Sequence, residues 1–400
     1  MARFAGGKAP FLRISNQGEN THKIMRDVLI ALLPVIIFTW YKNGIQVYID
    51  GNIHFLEMLY PLFFVLLGGF LSVVMEAIFF YITDKDHRDF KDIMVKIQRS
   101  YSVIPGLILA LLLPLYTPIW VLMFAAFISS IVAKMLFGGF GHNVFNPALL
   151  GYAIVGFTFS GIVTNMANIF NASELLIDSY AGATPLGTLA RFKGGDLAFS
   201  YEALIEPYGS LWNFFAGTIP GALGETSALA ILIGGIYLVI RKVIKWYTPV
   251  VYIGTVFVLS WFIGMMAGDA GIWFPTYSIL SGGVFFAGVF MITDPVTTPT
   301  NNVAKVFFAL FLGALTVLFR FVGSLPEGVG TALIVMNIFA IPIDTYSGII
   351  RTKGLKQKTG ISYAAVLVVI LVLLLVYTLI ASNALYTASL PTISTWGGLI

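Results

Sequence analysis

Apolar runs of similar length recur along the chain, at 26–42, 56–82, 118–137, 145–163, 225–241, 248–267, 302–322, 328–344 and 361–383, with shorter pieces at 103–114 and 276–293. A bilayer-spanning helix needs about 20 predominantly apolar residues, and lipid excludes unpaired backbone, so only helices or a closed barrel can cross. The runs have helix length rather than strand length. They predict an all-α polytopic membrane protein with about 10–11 transmembrane helices. Residues 1–25 are polar and basic and contain no apolar core of a cleavable signal, so the first run doubles as the targeting segment.

The pattern repeats. Residues 106–155 can be laid against 288–338: each copy has a short apolar segment ending in Pro, a polar or Pro-containing break, a full span, a Gly-rich bend and another span. With about five crossings per copy, the two copies would face opposite ways, and inverted repeats of this kind hold interrupted helices near the midplane, where half-helix ends can bind ions or polar ligands. The plainer reading is that Pro and Gly kink ordinary helices. The expected organisation is a cytoplasmic N-terminal arm (1–25), a first membrane repeat (26–163), an extracytoplasmic loop (164–208), a second repeat (209–345), and a basic cytoplasmic loop with an extra C-terminal membrane segment (346–400).

Composition and charge sharpen this reading. The chain is 58% hydrophobic and only 10% charged, which leaves little room for a soluble domain. If the N-terminus is cytoplasmic and both short pieces count as crossings, all of the 23 Lys and Arg residues except Lys42, Arg191, Lys193 and Arg320 fall on the inner side. The net charge of +4 then reflects membrane orientation and gives no sign of nucleic-acid binding. The same topology puts residues 164–208 outside. With no cysteine, disulfides and thiolate-held metals are excluded, and His22, His54, His87 and His142 lack ligand spacing. No metal site and no catalytic side chain can be argued, so any redox chemistry needs an organic cofactor.

Polar residues at the breaks are the candidate sites. In "GGFGHNVFNPAL" (138–149), Asn143 and Asn146 open a span three residues apart and share a helical face. Their amides could meet the imide edge of a flavin, a quinone carbonyl or a partly dehydrated cation, with Phe140 or Phe145 against the ring. Asn146 before Pro147 is equally an ordinary helix cap. Carboxylates in or beside spans cost a few kcal/mol unless paired or wet, which makes Glu76, Glu225, Asp294 and Asp344 candidates for an ion path. Glu76 lies deepest in its run. Caps at Glu225 and Asp294 and an interfacial anchor at Asp344, which closes the tenth span, are the alternatives.

The polar stretch "DSYAGATPLGTL" (178–189) sets Thr184 in the long outer loop. Gly182 and Ala183 leave room for an enzyme to close over its hydroxyl, and Pro185 restricts the chain after it. Together with "NVFNPAL", "IPGALGETSALAILIG", "ITDPV" and "PEGVGTALIVMNIFAIPIDTY", and the opening "NTHKIMRDVLIALLP", this order of motifs resembles the RnfD/NqrB family over about residues 14–350. The resemblance implies an electron-carrying membrane subunit of an ion-translocating oxidoreductase in the bacterial cytoplasmic (inner) membrane, with other Rnf- or Nqr-type subunits as partners and Na+ or H+ as the ion. It implies FMN esterified through its phosphate to Thr184 by a flavin transferase that reads Asp178, Gly182 and Ala183. A noncovalent riboflavin at Asn143 and Asn146 and a fold similar to urea transporters are also implied. The short N-terminal arm and "ATPL" favour the RnfD branch over NqrB. Two departures stand out: Ala181 replaces a common Ser, and 361–383 extends past the usual end. A channel or transporter without redox chemistry is the reading from another class, and the Thr184 loop speaks against it.

Overall fold

The computed structural model describes residues 21–84, 89–159, 161–162, 185–186, 189, 200–225, 227–266, 271–321 and 328–353. Among them the secondary structure is helical, with no strand. The main helices are α1 (Thr21–Ile49), α2 (Tyr60–Thr83), α3 (Phe90–Ser100), α4 (Val103–Leu112), α5 (Ile119–Met135) and α6 (Pro147–Thr158), then α7 (Ala228–Ile240), α8 (Tyr247–Met266), α9 (Trp273–Leu280), α10 (Val284–Met291), α11 (Asn302–Phe321) and α12 (Val329–Lys353). Four of these, α1, α2, α8 and α11, are long and apolar enough to cross a membrane singly. The pairs α3/α4 and α9/α10 reach that length together but bend by 56° and 65°. The shorter α5, α6 and α7 and the stretch Val329–Thr345 of α12 are apolar as well. This is a multi-pass membrane protein, and every apolar run predicted before residue 345 overlaps one of these helices or, for 276–293, the bent pair α9/α10. The run 361–383 lies outside the described residues.

The order of elements recurs. A long or apolar helix, a second one, a broken pair, and two further helices make α1–α6, and the same series makes α7–α12. Each break turns on a left-handed residue, Tyr101 at φ 53° and Gly282 at φ 64°. Only the second uses the residue type suited to that conformation. Three stretches are wound as π-helix, Tyr41–Gln46, Ile128–Met135 and Ala287–Met291, which the apolar pattern does not signal.

Interior cations alter the charge pattern. Lys42, Lys134 and Arg320 are 3%, 2% and 1% exposed, so they are packed inside the protein rather than spread along its loops. Two of the four apparent exceptions to the inside-positive rule are therefore structural. Asp344 closes the apolar stretch Val329–Thr345 as expected, although the helix α12 itself runs on to Lys353.

Small residues let the helices touch. A Cβ on Gly106 of α4 would collide with the Gly68 carbonyl oxygen of α2 and lie 2.6 Å from the Ser72 Oγ, so the two backbones are in contact there. Between the repeats, a Cβ on Gly234 of α7 would collide with the Ala31 carbonyl oxygen of α1. Buried Asp27 of α1 accepts from Arg241 Nε (3.0 Å) and Tyr237 Oη (3.3 Å) at the end of α7, closing the same seam. Gly106→Ala should lower the thermal stability of the solubilised protein by about 1–3 kcal/mol, the usual cost of overpacking. Gly156→Ala, at a position open to space in α6, is the matched control and should leave stability unchanged or raised, both read from unfolding midpoints.

Candidate functional site

One cavity joins the two repeats. Its volume is about 80 Å³, and its wall combines Ser100, Tyr101, Lys134, Phe140, Asn143 and Asn146 of the first repeat with Thr293, Asp294, Pro295 and Val296 of the second. Apolar side chains of α1, α4, α6, α7 and α10 and of the turn after α7 line the rest. A few convergent polar groups in a largely apolar wall are the chemistry that orients a planar organic ligand.

The two asparagines hold different posts. Asn146 caps α6, its Oδ1 accepting from Leu149 N at 3.3 Å with Pro147 at the first helical position. The cap employs the oxygen; the amide nitrogen is a separate donor. Asn143 Nδ2 donates to the Phe145 carbonyl at 3.1 Å, which holds the loop before α6. Both side chains are buried, and both line the cavity. Capping and a place in the cavity wall thus coexist at Asn146. Of the two rings expected beside them, Phe140 lines the cavity and packs edge-on to Tyr101 (5.0 Å), while Phe145 packs on Phe137 (6.3 Å).

The four carboxylates occupy four different settings. Asp294 lies in the cavity wall just past α10, accepting from Val296 N (3.2 Å) and Thr297 Oγ1 (2.9 Å), a local turn rather than a helix cap. Burial pushes its carboxyl above the ordinary aspartate range, against the opposing pull of those two donors. Asp344 takes Thr300 Oγ1 (2.6 Å) and Asn301 N (2.9 Å), tying the loop before α11 to α12. Glu225 does not cap α7, since Ser227 does so through its contact with Ala230 N. Its carboxylate instead lies against Gly283, the N-cap of α10, where a Cβ would be 2.5 Å from Oε1. Glu76 is fully buried in α2 and receives Lys134 Nζ (2.6 Å), Ser100 Oγ (2.5 Å) and Ser102 Oγ (2.6 Å).

Thr184, Asp178, Gly182 and Ala183 lie outside the described residues. Their immediate neighbours do not. Tyr277 Oη of α9 donates to the Pro185 carbonyl (2.5 Å), and Leu186 and Leu189 are buried. The polar loop is therefore pinned to the second broken pair one residue after its threonine. Sequence reasoning had no signal for this link, nor for Lys134 and Arg320 as interior groups. A Lys within an apolar run could have prompted the question.

Residues 8–351 match the sequence profile of the NQR2, RnfD, RnfE family. The chain belongs to that family. It is 33% identical over 335 residues to the D-type subunit of the proton-translocating ferredoxin:NAD(+) oxidoreductase complex of Clostridium ljungdahlii, covering 82% of this chain and 91% of that protein. It is 28% identical to the D-type subunit of the Na(+)-translocating ferredoxin:NAD(+) oxidoreductase complex of Acetobacterium woodii, covering 82% and 90%. Against the B-type subunit of the Na(+)-translocating NADH-quinone reductase of Chromohalobacter salexigens the identity is 29%, with 82% of each chain covered. The matched segment takes in both repeats and the cavity between them, and stops before the run 361–383.

In this family member, Asn146→Ala should lower thermal stability by about 1 kcal/mol through loss of the cap, with Asn146→Asp retaining most of it. Unfolding midpoints of the two variants, measured without added ligand, check the capping contribution alone.

Proposed function

We propose that the protein is the RnfD-type subunit of a ferredoxin:NAD+ oxidoreductase complex in the bacterial cytoplasmic membrane, moving electrons through flavins while the complex translocates Na+ or H+. Family membership and the names of its relatives support this, and the observation that carries the cofactor reading is the cavity between the repeats. A bound flavin supplies one- and two-electron chemistry, and the side chains have the matching chemistry for its ring. Asn143 and Asn146 offer amide donors and acceptors to an imide edge, Phe140 and Tyr101 offer aromatic surface, and the apolar remainder of the wall excludes water. We assign this cavity to a noncovalent riboflavin.

The second flavin, an FMN, is assigned to Thr184 on the outer loop, attached by a flavin transferase acting at Asp178, Gly182 and Ala183. An external electron carrier has to stay within transfer range of its partners, and a covalent tether supplies that proximity regardless of its intrinsic affinity. The bond from Tyr277 to Pro185 supports the assignment by holding the chain beside the acceptor hydroxyl. For the ion path, Asp294 is the foremost carboxylate, since it borders the cavity and its partners among the described residues are an amide and a hydroxyl. Asp344 and Glu225 stand behind it, and Glu76 is engaged by Lys134. An NqrB-type role in an NADH:quinone oxidoreductase is the second reading, favoured by a comparable match to the Chromohalobacter protein.

Thr184→Ala should abolish flavin fluorescence of the subunit in a denaturing gel under ultraviolet light, and Thr184→Ser should keep part of it. Fluorescence that persists in the alanine variant removes Thr184 as the attachment site. Asn143→Leu and Asn146→Leu should each lower the flavin released by denaturation while sparing the gel-stable label. Unchanged release from both variants would leave these residues with structural duties only.

A further inference from the structure

Each helix break holds a buried cation that belongs to the chain. At the first, Lys134 Nζ donates to the Ser100 carbonyl that ends α3 (2.7 Å) and to Glu76 Oε1 (2.6 Å), while Glu76 Oε2 takes the hydroxyls of Ser100 and Ser102. At the second, Arg320 Nη1 and Nη2 donate to the carbonyls of Ser278 (2.5 Å) and Ser281 (3.2 Å) at the end of α9, and Glu225 lies against Gly283 at the start of α10. The cations come from corresponding helices, α5 and α11, each near its C-terminal end. The acids come from different places, α2 in one repeat and the segment before α7 in the other.

A half-helix ending in lipid presents carbonyl oxygens with partial negative charge, and the stump that follows presents amide hydrogens with partial positive charge. Carbonyl, carboxylate and hydroxyl oxygens gathered at such a break are also the ligands with which discontinuous helices hold small transported cations. Here the position is taken. The donors of Lys134 meet those oxygens with the protein's own ammonium, and Glu76 and Lys134 are 0% and 2% exposed.

We propose that the cluster of Glu76, Ser100 and Ser102 is a monovalent-cation site whose resident is the Lys134 ammonium, and that Arg320 is the resident of the corresponding site in the second repeat. Both breaks thereby hold a cation that belongs to the protein itself. The inference rests on the geometry of the breaks and is independent of the flavin assignments.

Lys134→Ala removes the ammonium and its stem, so the vacated site should accept a small cation from solution. The variant, purified from membranes with the subunits that accompany it, is unfolded thermally in chloride salts of methylammonium, sodium and N-methylglucammonium at equal ionic strength. Methylammonium, and sodium to a lesser extent, should shift the unfolding midpoint of the variant upward to a plateau, with no such shift in the parent protein. Equal shifts with the bulky N-methylglucammonium would reduce the effect to charge screening and overturn the proposal, as would no shift with any of them. Lys134→Met combined with Glu76→Gln removes both charges at similar volume, a replacement buried ion pairs commonly tolerate. This double variant should fold and lose the methylammonium response, so failure to fold or a retained response also overturns the site. For Arg320→Ala the rescuing ion should be guanidinium rather than methylammonium, because one planar fork serves two carbonyls. Equal rescue by both ions would remove Arg320 from the proposal.

Discussion

A helix interrupted inside a bilayer leaves carbonyls on one stump and amides on the other with no water to receive them. Both repeats are organised around that constraint. In the first, α2 is drawn against α4 through Gly68 and Gly106, and this contact brings Glu76 to the start of α4. α5 is wound as a π-helix over Ile128–Met135, the stretch from which Lys134 reaches the end of α3. In the second, Arg320 serves the end of α9 and Glu225 the start of α10. Gly224, next to that glutamate, donates to the Leu111 carbonyl at the end of α4 and is wedged between Leu111 and Phe286. The treatment of one broken pair is thus mechanically joined to the other.

The same arrangement shapes the cavity. Ser100, Tyr101 and Lys134 belong to the first break and to the cavity wall at once, so an interior ammonium with its counter-charge borders the space assigned to a ring. Asp294 contributes from the second repeat, just past its own broken pair. A ligand in this position touches both repeats, and any shift of one against the other would be felt at its edges. The Pro185 link to α9 extends this coupling outward toward the polar loop.

Much of this was legible in the chain. Apolar run length located the helices, and the register of 106–155 on 288–338 pairs α4 with α10, α5 with α11 and α6 with α12, because hydrophobic length and Pro or Gly breaks are local properties. Glu76 stood out as buried because no other carboxylate sits so deep in a run. What pairs with it was not legible: Lys134 lies near the end of an apolar run, where a lysine ordinarily snorkels to the interface. The left-handed Tyr101 was equally silent, since tyrosine carries no turn preference. Asp344 was readable as the close of the tenth span, but the run of α12 past it to Lys353 was not, because the apolar pattern ends there. Asn146 was readable as a cap from its Pro neighbour, but its place in a wall shared with Asp294 depends on a contact between distant parts of the chain.

The pairing of Glu76 with Lys134 spans 58 residues, and this separation bears on how the protein enters the membrane. Chains grow at about 5–20 residues per second, so α2 is made roughly 3–12 seconds before its counter-charge exists. During that interval an ionised Glu76 would sit in lipid with nothing to offset it. Its partner arrives only with α5, so the two groups can be buried together only after that helix has been delivered. The interior of the first repeat is therefore closed in a set order, with the fifth helix completing what the second began.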